Sequence, residues 1–352
     1  MSKQSVTHVA TTDIREMMNP GAERRMDLPG FDPEFVDFPH YIIRITERIW
    51  HDRDVDLCLK YYADSCVIHT MAGPISGAQT VVDNTNQTLA SFPDRRLDGD
   101  NVIWSEDAPG VFYSSHLITS KMTNHGPSEF GAATGKRARV QTIADCLCKE
   151  NQVVEEWLVR DNGALCLQLG FSLEETAERQ AKADIAANAS LLDKLTHYRT
   201  GAEHRAVSAE TQASRIAVGA LEAIWGAKEL ERLSEFYDFR VGTHYPSGRE
   251  AYGYDQLSEQ LGSILDALPD AVLSIDHICE IPYLGEAVDV AARWTVRGHH
   301  NGDGAYGAPS GAPIFILAVS HFRIMNGRIR EETTIWDDLA LHRQIATARL
   351  LT

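Results

Sequence analysis

The chain has 352 residues, of which 43% are hydrophobic and 24% charged, and its formal net charge is −17. This length fits two domains of about 150 residues, and the apolar share supports a full core in each. The negative charge argues against nucleic acid or an anionic membrane surface as a main partner. An uncharged small molecule in a closed pocket is compatible with it.

The N-terminus has no apolar segment of the kind that a signal peptide needs, and no stretch approaches the length of a transmembrane helix. We therefore expect a cytoplasmic protein. Among the six cysteines, Cys146 and Cys148 alternate along a predicted strand. Their side chains then point to the same side and are poorly placed to bridge each other. We expect all six cysteines to be reduced and mostly buried.

The chain contains one pattern twice, about 176 residues apart. ERIWHDRDVDLCLKYYADSCVIHT matches EAIWGAKELERLSEFYDFRVGTHY, and SFPD matches ALPD. Residues 131–168 align with 307–344 without a gap, and nine of these 38 pairs are identical. Average residue usage predicts roughly two identities. Because the identities fall mainly on glycines and acids, we infer a duplicated unit.

Each copy begins with a predicted helix, at 35–50 and 210–225, whose apolar residues recur every three or four positions. A shorter amphipathic helix, a β-like segment and a helix ending at a Pro-Asp turn follow. Three strands complete the copy; a glycine-rich loop joins the first two, and the turn KENQ or MNGR joins the last two. This order predicts an α+β fold, with helices packed on a curved antiparallel sheet.

We predict an N-terminal arm at 1–30, two domains at 31–172 and 210–352, and a connector at 173–209. The connector is rich in Ala, Glu and Lys and lacks proline, which predicts a helix. A tandem chain can bury a sheet face internally, so we expect an internal pseudo-dimer of the two copies, and further homodimerisation is open. Two independent domains are the alternative.

Each copy resembles the SnoaL-like polyketide cyclases, a branch of the NTF2-like superfamily with a cystatin-like α+β barrel. The resemblance rests on the glycines of the loop before a long strand and on the ending [GN]-x-[IV]-x-E-E-x-x-x-x-D-x-x-x-L-x-x-Q. It implies a conical pocket between the concave sheet face and the helices. It also implies an acid/base aspartate, a polar partner on the preceding strand and a junction histidine, which map in pairs onto Asp161 and Asp337, Asp145 and His321, and His69 and His244.

The residues themselves allow two roles for the two aspartates. Residues at alternate positions of a strand share a face, so Asp161 follows Trp157 on one face and Asp337 follows Ile335. Desolvation there would raise the pKa of the carboxyl and favour proton transfer near neutrality without a cofactor. Each aspartate also directly precedes a helix-like segment and is alternatively an N-cap. Asp338 is an equally plausible cap, but Asp337 shares the register of Asp161.

The two copies differ at the polar partner, where the first has Asp145 and the second has His321. We therefore expect the second copy to be the stronger catalytic candidate. His69 and His244 are either structural histidines or groups that line the pocket. The adjacent His299 and His300 are a weak metal signal, and the chain shows no ligand spacing of a known kind, so we expect no metal.

The loop at 297–313 holds five glycines and two prolines. We predict that it forms the edge of a lid at the pocket mouth, where Tyr306 or His299 contacts substrate; a purely structural rim is the alternative. Trp157 and Trp294 are the further candidates for substrate binding.

The leading functional hypothesis is a cofactor-independent enzyme that uses acid–base chemistry on a hydrophobic, carbonyl-bearing small molecule. The reaction would be a cyclisation, isomerisation, dehydration or lyase cleavage. A non-catalytic small-molecule-binding or scaffold protein is the first alternative. Epoxide hydrolysis is the second, although it usually needs an Asp–Arg–Asp group that the sequence does not reveal.

Overall fold

The computed structural model describes residues 5–189, 191–195 and 204–351. The chain divides into two compact units, one formed by Met1–His69 with Ile75–Leu158 and the other by Thr70–Pro74 with Val159–Thr352. Each unit contains a six-stranded sheet with helices packed on it, which confirms the predicted α+β class and the tandem arrangement. Among the described residues, no helix combines the length and apolar character needed to cross a membrane.

The first unit has four helices, and the longest two flank its first strand. Asp37 caps the helix that begins at Phe38, and its carboxylate accepts a hydrogen bond from the backbone N–H of His40 at 2.9 Å. The helices are α1 (Ile14–Met18), α2 (Phe38–Thr46, continued by a π-helical turn at Glu47–His51), α3 (Cys58–Tyr61) and α4 (Ala78–Ser91). The strands are β1 (Tyr62–His69), β2 (Ile75–Ser76), β3 (Arg96–Ala108), β4 (Val111–Thr123), β5 (Arg137–Lys149) and β6 (Gln152–Arg160).

The second unit repeats this order after three additional helices. Those three are α5 (Asn162–Gln168), α6 (Leu173–Ala186) and α7 (Leu191–Lys194). The later helices are α8 (Gln212–Leu221, continued by a π-helical turn at Glu222–Gly226), α9 (Leu233–Phe236), α10 (Gly253–Ala267) and α11 (Asp338–Leu351). The strands are β7 (Tyr237–Tyr245), β8 (Arg249–Tyr252), β9 (Val272–Tyr283), β10 (Ala287–His299), β11 (Pro313–Met325) and β12 (Arg328–Ile335).

Both sheets are mixed, which corrects the expectation of an antiparallel sheet. The strand orders are β2-β1-β6-β5-β4-β3 and β8-β7-β12-β11-β10-β9. The first strand of each copy pairs in parallel with the last, β1 with β6 and β7 with β12, because the long chain between them acts as a crossover. In the described residues the two edge strands of a sheet do not pair with each other, so neither sheet closes into a barrel.

Four strands, rather than the predicted three, follow the Pro-Asp turn of each copy. The strands that the sequence did not predict are β3 and β9, which lie at the sheet edges. In β3 the pairing register with β4 shifts between Gly99 and Asn101. Such a bulge interrupts the alternation of polar and apolar residues that identifies a strand.

The core of each unit lies between the sheet and its first long helix, and we call this side of the sheet the helix-side face. In the first unit Phe38 of α2 stacks on Phe112 of β4, with ring centroids 5.1 Å apart. In the second unit Trp225, at the end of α8, contacts Trp294 and Trp336 at centroid distances of 4.7 and 5.7 Å. All six cysteines are buried thiols, as predicted.

The described part of the N-terminal arm joins the core of the first unit through Val9, Met17 and Leu28. The predicted connector is helical in α6 and α7. Residues 190 and 196–203 of the connector lie outside the described part of the chain. Beyond them the expected helix does not continue, because Ala206 instead forms a parallel β-bridge with His277 of β9.

Candidate acid–base site

Asp161 follows β6 directly and caps helix α5, and its side chain is buried. One carboxylate oxygen, Oδ1, accepts hydrogen bonds from the backbone N–H groups of Ala164 at 2.9 Å and Ser247 at 2.8 Å. All three residues belong to the second unit. The capping role therefore holds, but it occupies only one of the two oxygens.

The other oxygen of Asp161, Oδ2, accepts no hydrogen bond within the described residues. It lies 3.9 Å from Nε2 of His244. Burial raises the pKa of Asp161 to about 6, and the nearby charge of Asp338 adds to this; the two backbone N–H groups act in the opposite direction. Asp161 is therefore a carboxyl that exchanges its proton near neutral pH.

His244 connects this buried carboxyl with the surface. It lies on β7, and 27% of its side chain is exposed. Its Nδ1 is 3.7 Å from a carboxylate oxygen of Glu250, whose side chain is 78% exposed. Both separations exceed hydrogen-bond distance, and the imidazole lies between a buried and an exposed carboxylate.

A second buried carboxylate, Asp338, lies beside Asp161. It accepts hydrogen bonds from four side chains, namely Ser247 Oγ at 2.6 Å, Arg249 Nη1 at 3.0 Å, Tyr306 Oη at 3.0 Å and Trp336 Nε1 at 3.1 Å. Burial alone would raise the pKa of Asp338, but Arg249, His342 and these donors hold it below its ordinary value. The two neighbouring carboxyls therefore have separated pKa values, as an acid/base group and its charged neighbour require.

Of the two acids that the sequence offered as caps, Asp337 is the N-cap of α11. Its Oδ1 accepts from the backbone N–H of Ala340 at 3.0 Å, and its Oδ2 accepts from Nδ2 of Asn162 at 2.6 Å. Both oxygens of Asp337 are thus engaged, whereas Oδ2 of Asp161 accepts no hydrogen bond within the described residues. The geometry favours Asp161, although the sequence favoured the second copy.

His321 lies on the sheet face opposite the helix-side face. Its cross-strand neighbours are Ala291 and Thr333. The adjacent Ser320 instead accepts a hydrogen bond from the indole of Trp294 at 2.9 Å, on the side where Trp225 packs. Successive residues of a strand point to opposite faces. A pairing of His321 with Asp337 stays a prediction.

The candidates of the first unit form a separate buried cluster. Asp145, on β5, accepts a hydrogen bond from the hydroxyl of Tyr113. The ring of His69 stacks on Trp157 with centroids 5.2 Å apart, and its Nε2 lies 2.8 Å from Oε1 of Glu155. These contacts support the structural interpretation of His69.

The remaining candidates lie in different environments. Trp294 is fully buried in the core of the second unit. Tyr306 is also buried, and through its bond to Asp338 it joins the acid–base site from the glycine-rich loop. His299 is half exposed at the end of β10 and lies 2.8 Å from Asp270. A contact of either loop residue with substrate stays a prediction.

A family model described as SnoaL-like polyketide cyclase matches the chain twice, at 40–169 and 215–345. The chain belongs to the SnoaL-like polyketide cyclase family. Both units accordingly have the NTF2-like fold, and the two matches include Asp161, His244 and Asp337. A comparison with curated proteins gives no match.

Three of the solved structures that are similar to this SnoaL-like chain each align with about two fifths of it. One assigned as a SnoaL-like polyketide cyclase, from Jannaschia sp. CCS1, is 20% identical over 41% of this chain and 97% of its own, with a TM-score of 0.34. One from Acidithiobacillus ferrooxidans is 20% identical over 40% and 99%, with a TM-score of 0.34. IdmH from Streptomyces antibioticus is 23% identical over 38% and 99%, with a TM-score of 0.32.

Three residues of the site were not predicted from the sequence. They are Ser247, Arg249 and Asp338, which the sequence suggested only as a helix cap and not as a buried carboxylate. Ser247 and Arg249 lie in the segment YPSGRE, where Pro and Gly indicate a turn but no charge pattern indicates a site. Asp338 had a signal in the paired acids at the start of the last helix. From the sequence, the two adjacent acids indicate only that one of them is the N-cap of the last helix.

Proposed function

We propose that this protein is a cofactor-independent acid–base enzyme of the cyclase, isomerase, dehydratase or lyase type, acting on a hydrophobic, carbonyl-bearing small molecule. Asp161 is the group that accepts and returns the proton, and His244 relays it. The observation that carries the proposal is the buried Oδ2 of Asp161, which has no hydrogen bond within the described residues and faces His244 at 3.9 Å. Membership of a polyketide cyclase family supports a substrate of this class.

The proposed chemistry follows from the state of the two carboxyls. Above its pKa of about 6, Asp161 is ionised and removes a proton from a carbon next to a carbonyl. Asp338 stays charged, because Arg249 and three hydrogen-bond donors hold it so, and it does not compete for that proton. The protonated Asp161 then returns the proton to the rearranged substrate, or passes it through His244 towards Glu250.

Deuterium exchange into a hydrophobic ketone tests this step without knowledge of the natural substrate. The purified full-length chain is incubated with 2-tetralone in D2O, and uptake at the carbon next to the carbonyl is followed by NMR. Asp161→Asn keeps an oxygen for the cap of α5 but loses the base, so we expect the exchange rate to fall by about 10²- to 10⁴-fold. Asp337→Asn is the matched control and should stay within a few-fold of wild type.

Two outcomes of this exchange experiment count against the proposal. If wild-type protein binds 2-tetralone, as shown by line broadening, but does not accelerate exchange, the non-catalytic binding function is supported instead. Equal losses in Asp161→Asn and Asp337→Asn would remove the special role of Asp161.

Epoxide hydrolysis is a second candidate, favoured by one observation that the sequence did not reveal. Arg249 binds Asp338 at 3.0 Å, and its pKa is raised by Asp338 and, more weakly, by Asp161, although burial opposes this. Arg249 thus pairs directly with Asp338 and is influenced by Asp161 through its charge, and this is the basis for proposing an Asp–Arg–Asp group in which Asp161 activates a water molecule. Hydrolysis of styrene oxide in H2¹⁸O, followed by the incorporation of ¹⁸O into the diol, distinguishes this reaction from carbon deprotonation.

A further inference from the structure

Ser247 adopts a backbone conformation that is uncommon for a residue with a side chain. It lies in the short turn Pro246–Gly248 with φ 64° and ψ 25°, in the left-handed region. Two hydrogen bonds hold it there. Its backbone N–H donates to Oδ1 of Asp161 at 2.8 Å, and its hydroxyl donates to Oδ2 of Asp338 at 2.6 Å. Ser247 therefore links the two buried carboxylates.

The close approach of this turn to helix α5 depends on Gly163. A Cβ atom at Gly163 would lie 2.1 Å from Oγ of Ser247 and 3.1 Å from Cβ of Asp338. Real contacts are never so short, so only glycine leaves room for the serine hydroxyl at this place. Asp338 is in turn fixed by Arg249, Tyr306 and Trp336.

We propose that Asp338 and Ser247 are positioning residues for Asp161. Asp338 fixes the hydroxyl of Ser247 and so stabilises the left-handed turn, and the N–H of Ser247 then fixes Oδ1 of Asp161. This bond leaves Oδ2 of Asp161 turned towards His244. The catalytic consequence rests on the proposed function, whereas the positioning itself does not.

Two substitutions should move the pKa of Asp161 in opposite directions. Ser247→Ala removes the hydroxyl that anchors the turn, which weakens the N–H bond to Asp161; because that bond stabilises the ionised form, the pKa of Asp161 should rise. Asp338→Asn keeps an oxygen that can accept from the hydroxyl of Ser247, so the turn should be retained, but it removes a negative charge and leaves Arg249 uncompensated; the pKa of Asp161 should therefore fall. If Ser247 and Asp338 made only structural contacts, the two substitutions would not shift the pKa of Asp161 in opposite directions.

The experiment is a pH titration of the full chain labelled with ¹³C at the aspartate carboxyls, followed by NMR and assigned with Asp161→Asn. Wild type is compared with Ser247→Ala, Asp338→Asn and the exposed-serine control Ser208→Ala. We expect a rise, a fall and no change, respectively. An unchanged pKa of Asp161 in folded Ser247→Ala, or a shift of the same sign in both site variants, would overturn the proposal.

Ser247→Gly covers the case in which Ser247→Ala does not fold. Glycine tolerates the left-handed conformation, so this variant should fold, but it populates other conformations about as readily. Without the hydroxyl nothing holds the turn, so the N–H bond to Asp161 should weaken and the pKa of Asp161 should still rise. No rise in Ser247→Gly would overturn the proposal as well. If the pKa values move as expected but 2-tetralone exchange is the same in all variants, the positioning stands and the proposed function fails.

Discussion

Oδ2 of Asp161 and Nε2 of His244 lie 3.9 Å apart, and the carboxyl is buried while the imidazole is partly exposed. The sequence gives no direct indication of this relationship, because the two residues are separated by more than 80 positions and were assigned to different copies. The fold brings the end of β6 and the end of β7 together within the second unit. A buried carboxyl beside a partly exposed imidazole is the arrangement on which the proposed proton transfer rests.

Asp161→Asn should change the pH dependence of stability. The pKa of Asp161 is raised from 3.8 to about 6, so the folded state binds this proton more tightly than the unfolded chain. Well below pH 3.8 both states carry the proton and there is no penalty, and at pH 4 the penalty is still small. As the pH rises towards 6 and above, a penalty of about 3 kcal/mol develops in the wild type. Urea denaturation should show nearly equal stabilities at pH 4 and a more stable Asp161→Asn at pH 7; a pH-independent difference would be inconsistent with the burial of an ionised Asp161.

His244→Gln should slow the exchange of 2-tetralone by about tenfold or more, because the side chain can no longer pass a proton between Asp161 and Glu250. His69→Gln is the matched control, since His69 occupies the equivalent place in the first unit. It should lower the melting temperature, because it loses its stacking on Trp157, and leave the exchange rate of the folded protein unchanged. Equal losses in the two variants would argue against a relay through His244.

Gly163→Ala should destabilise the protein by roughly 1–3 kcal/mol, because the added methyl group displaces Ser247 and with it the N–H bond to Asp161. Gly242→Ala, on strand β7, is the control, since a Cβ there would meet nothing within 4 Å. The free energies of unfolding are compared in urea. A fully tolerated Gly163→Ala would mean that the turn at Ser247 moves freely and does not position Asp161.

Glu332 should be replaceable by glutamine but not by leucine. It is buried on β12 and accepts hydrogen bonds from Tyr245 and Thr334 at 2.6 Å and from Tyr237 at 3.0 Å. Burial raises the pKa of Glu332, although the three hydroxyls oppose this, so a neutral side chain suits the position. Glu332→Leu removes the acceptor of the two tyrosine hydroxyls, at about 1–3 kcal/mol each, while Thr334 still has Ser320 at 2.7 Å. Glu332→Gln should cost much less in thermal denaturation. Equal destabilisation by both would show that the charge itself is required.

The repeat and the class of fold could be predicted because they depend on local signals. Glycines, paired acids and the Pro-Asp turns recur at a fixed offset, and each reports a backbone requirement that a sequence displays directly. The edge strands β3 and β9 could not be predicted in the same way. A bulge near Gly99 breaks the alternation in β3, and edge strands are polar on both faces more often than central ones.

The site was predicted only in its parts. The burial of Asp161 and its raised pKa follow from its place at the end of the last strand, as the sequence suggested. The partners of Asp161 could not be predicted from the sequence. Ser247 donates its backbone N–H to Asp161 from a left-handed conformation, and Asp338 is held by contacts with residues distant in the chain. His321 lies on the sheet face opposite the helix-side face, and its pairing with Asp337 stays a prediction.

The pH dependence of 2-tetralone exchange tests the role of Asp161 most directly. In the wild type, after subtraction of the uncatalysed rate, the exchange rate should rise with pH and level off, with a midpoint near pH 6 where Asp161 ionises. In Asp161→Asn this rise should disappear. A midpoint near pH 6 that persists in folded Asp161→Asn would assign the titrating base to another residue and contradict the proposed function.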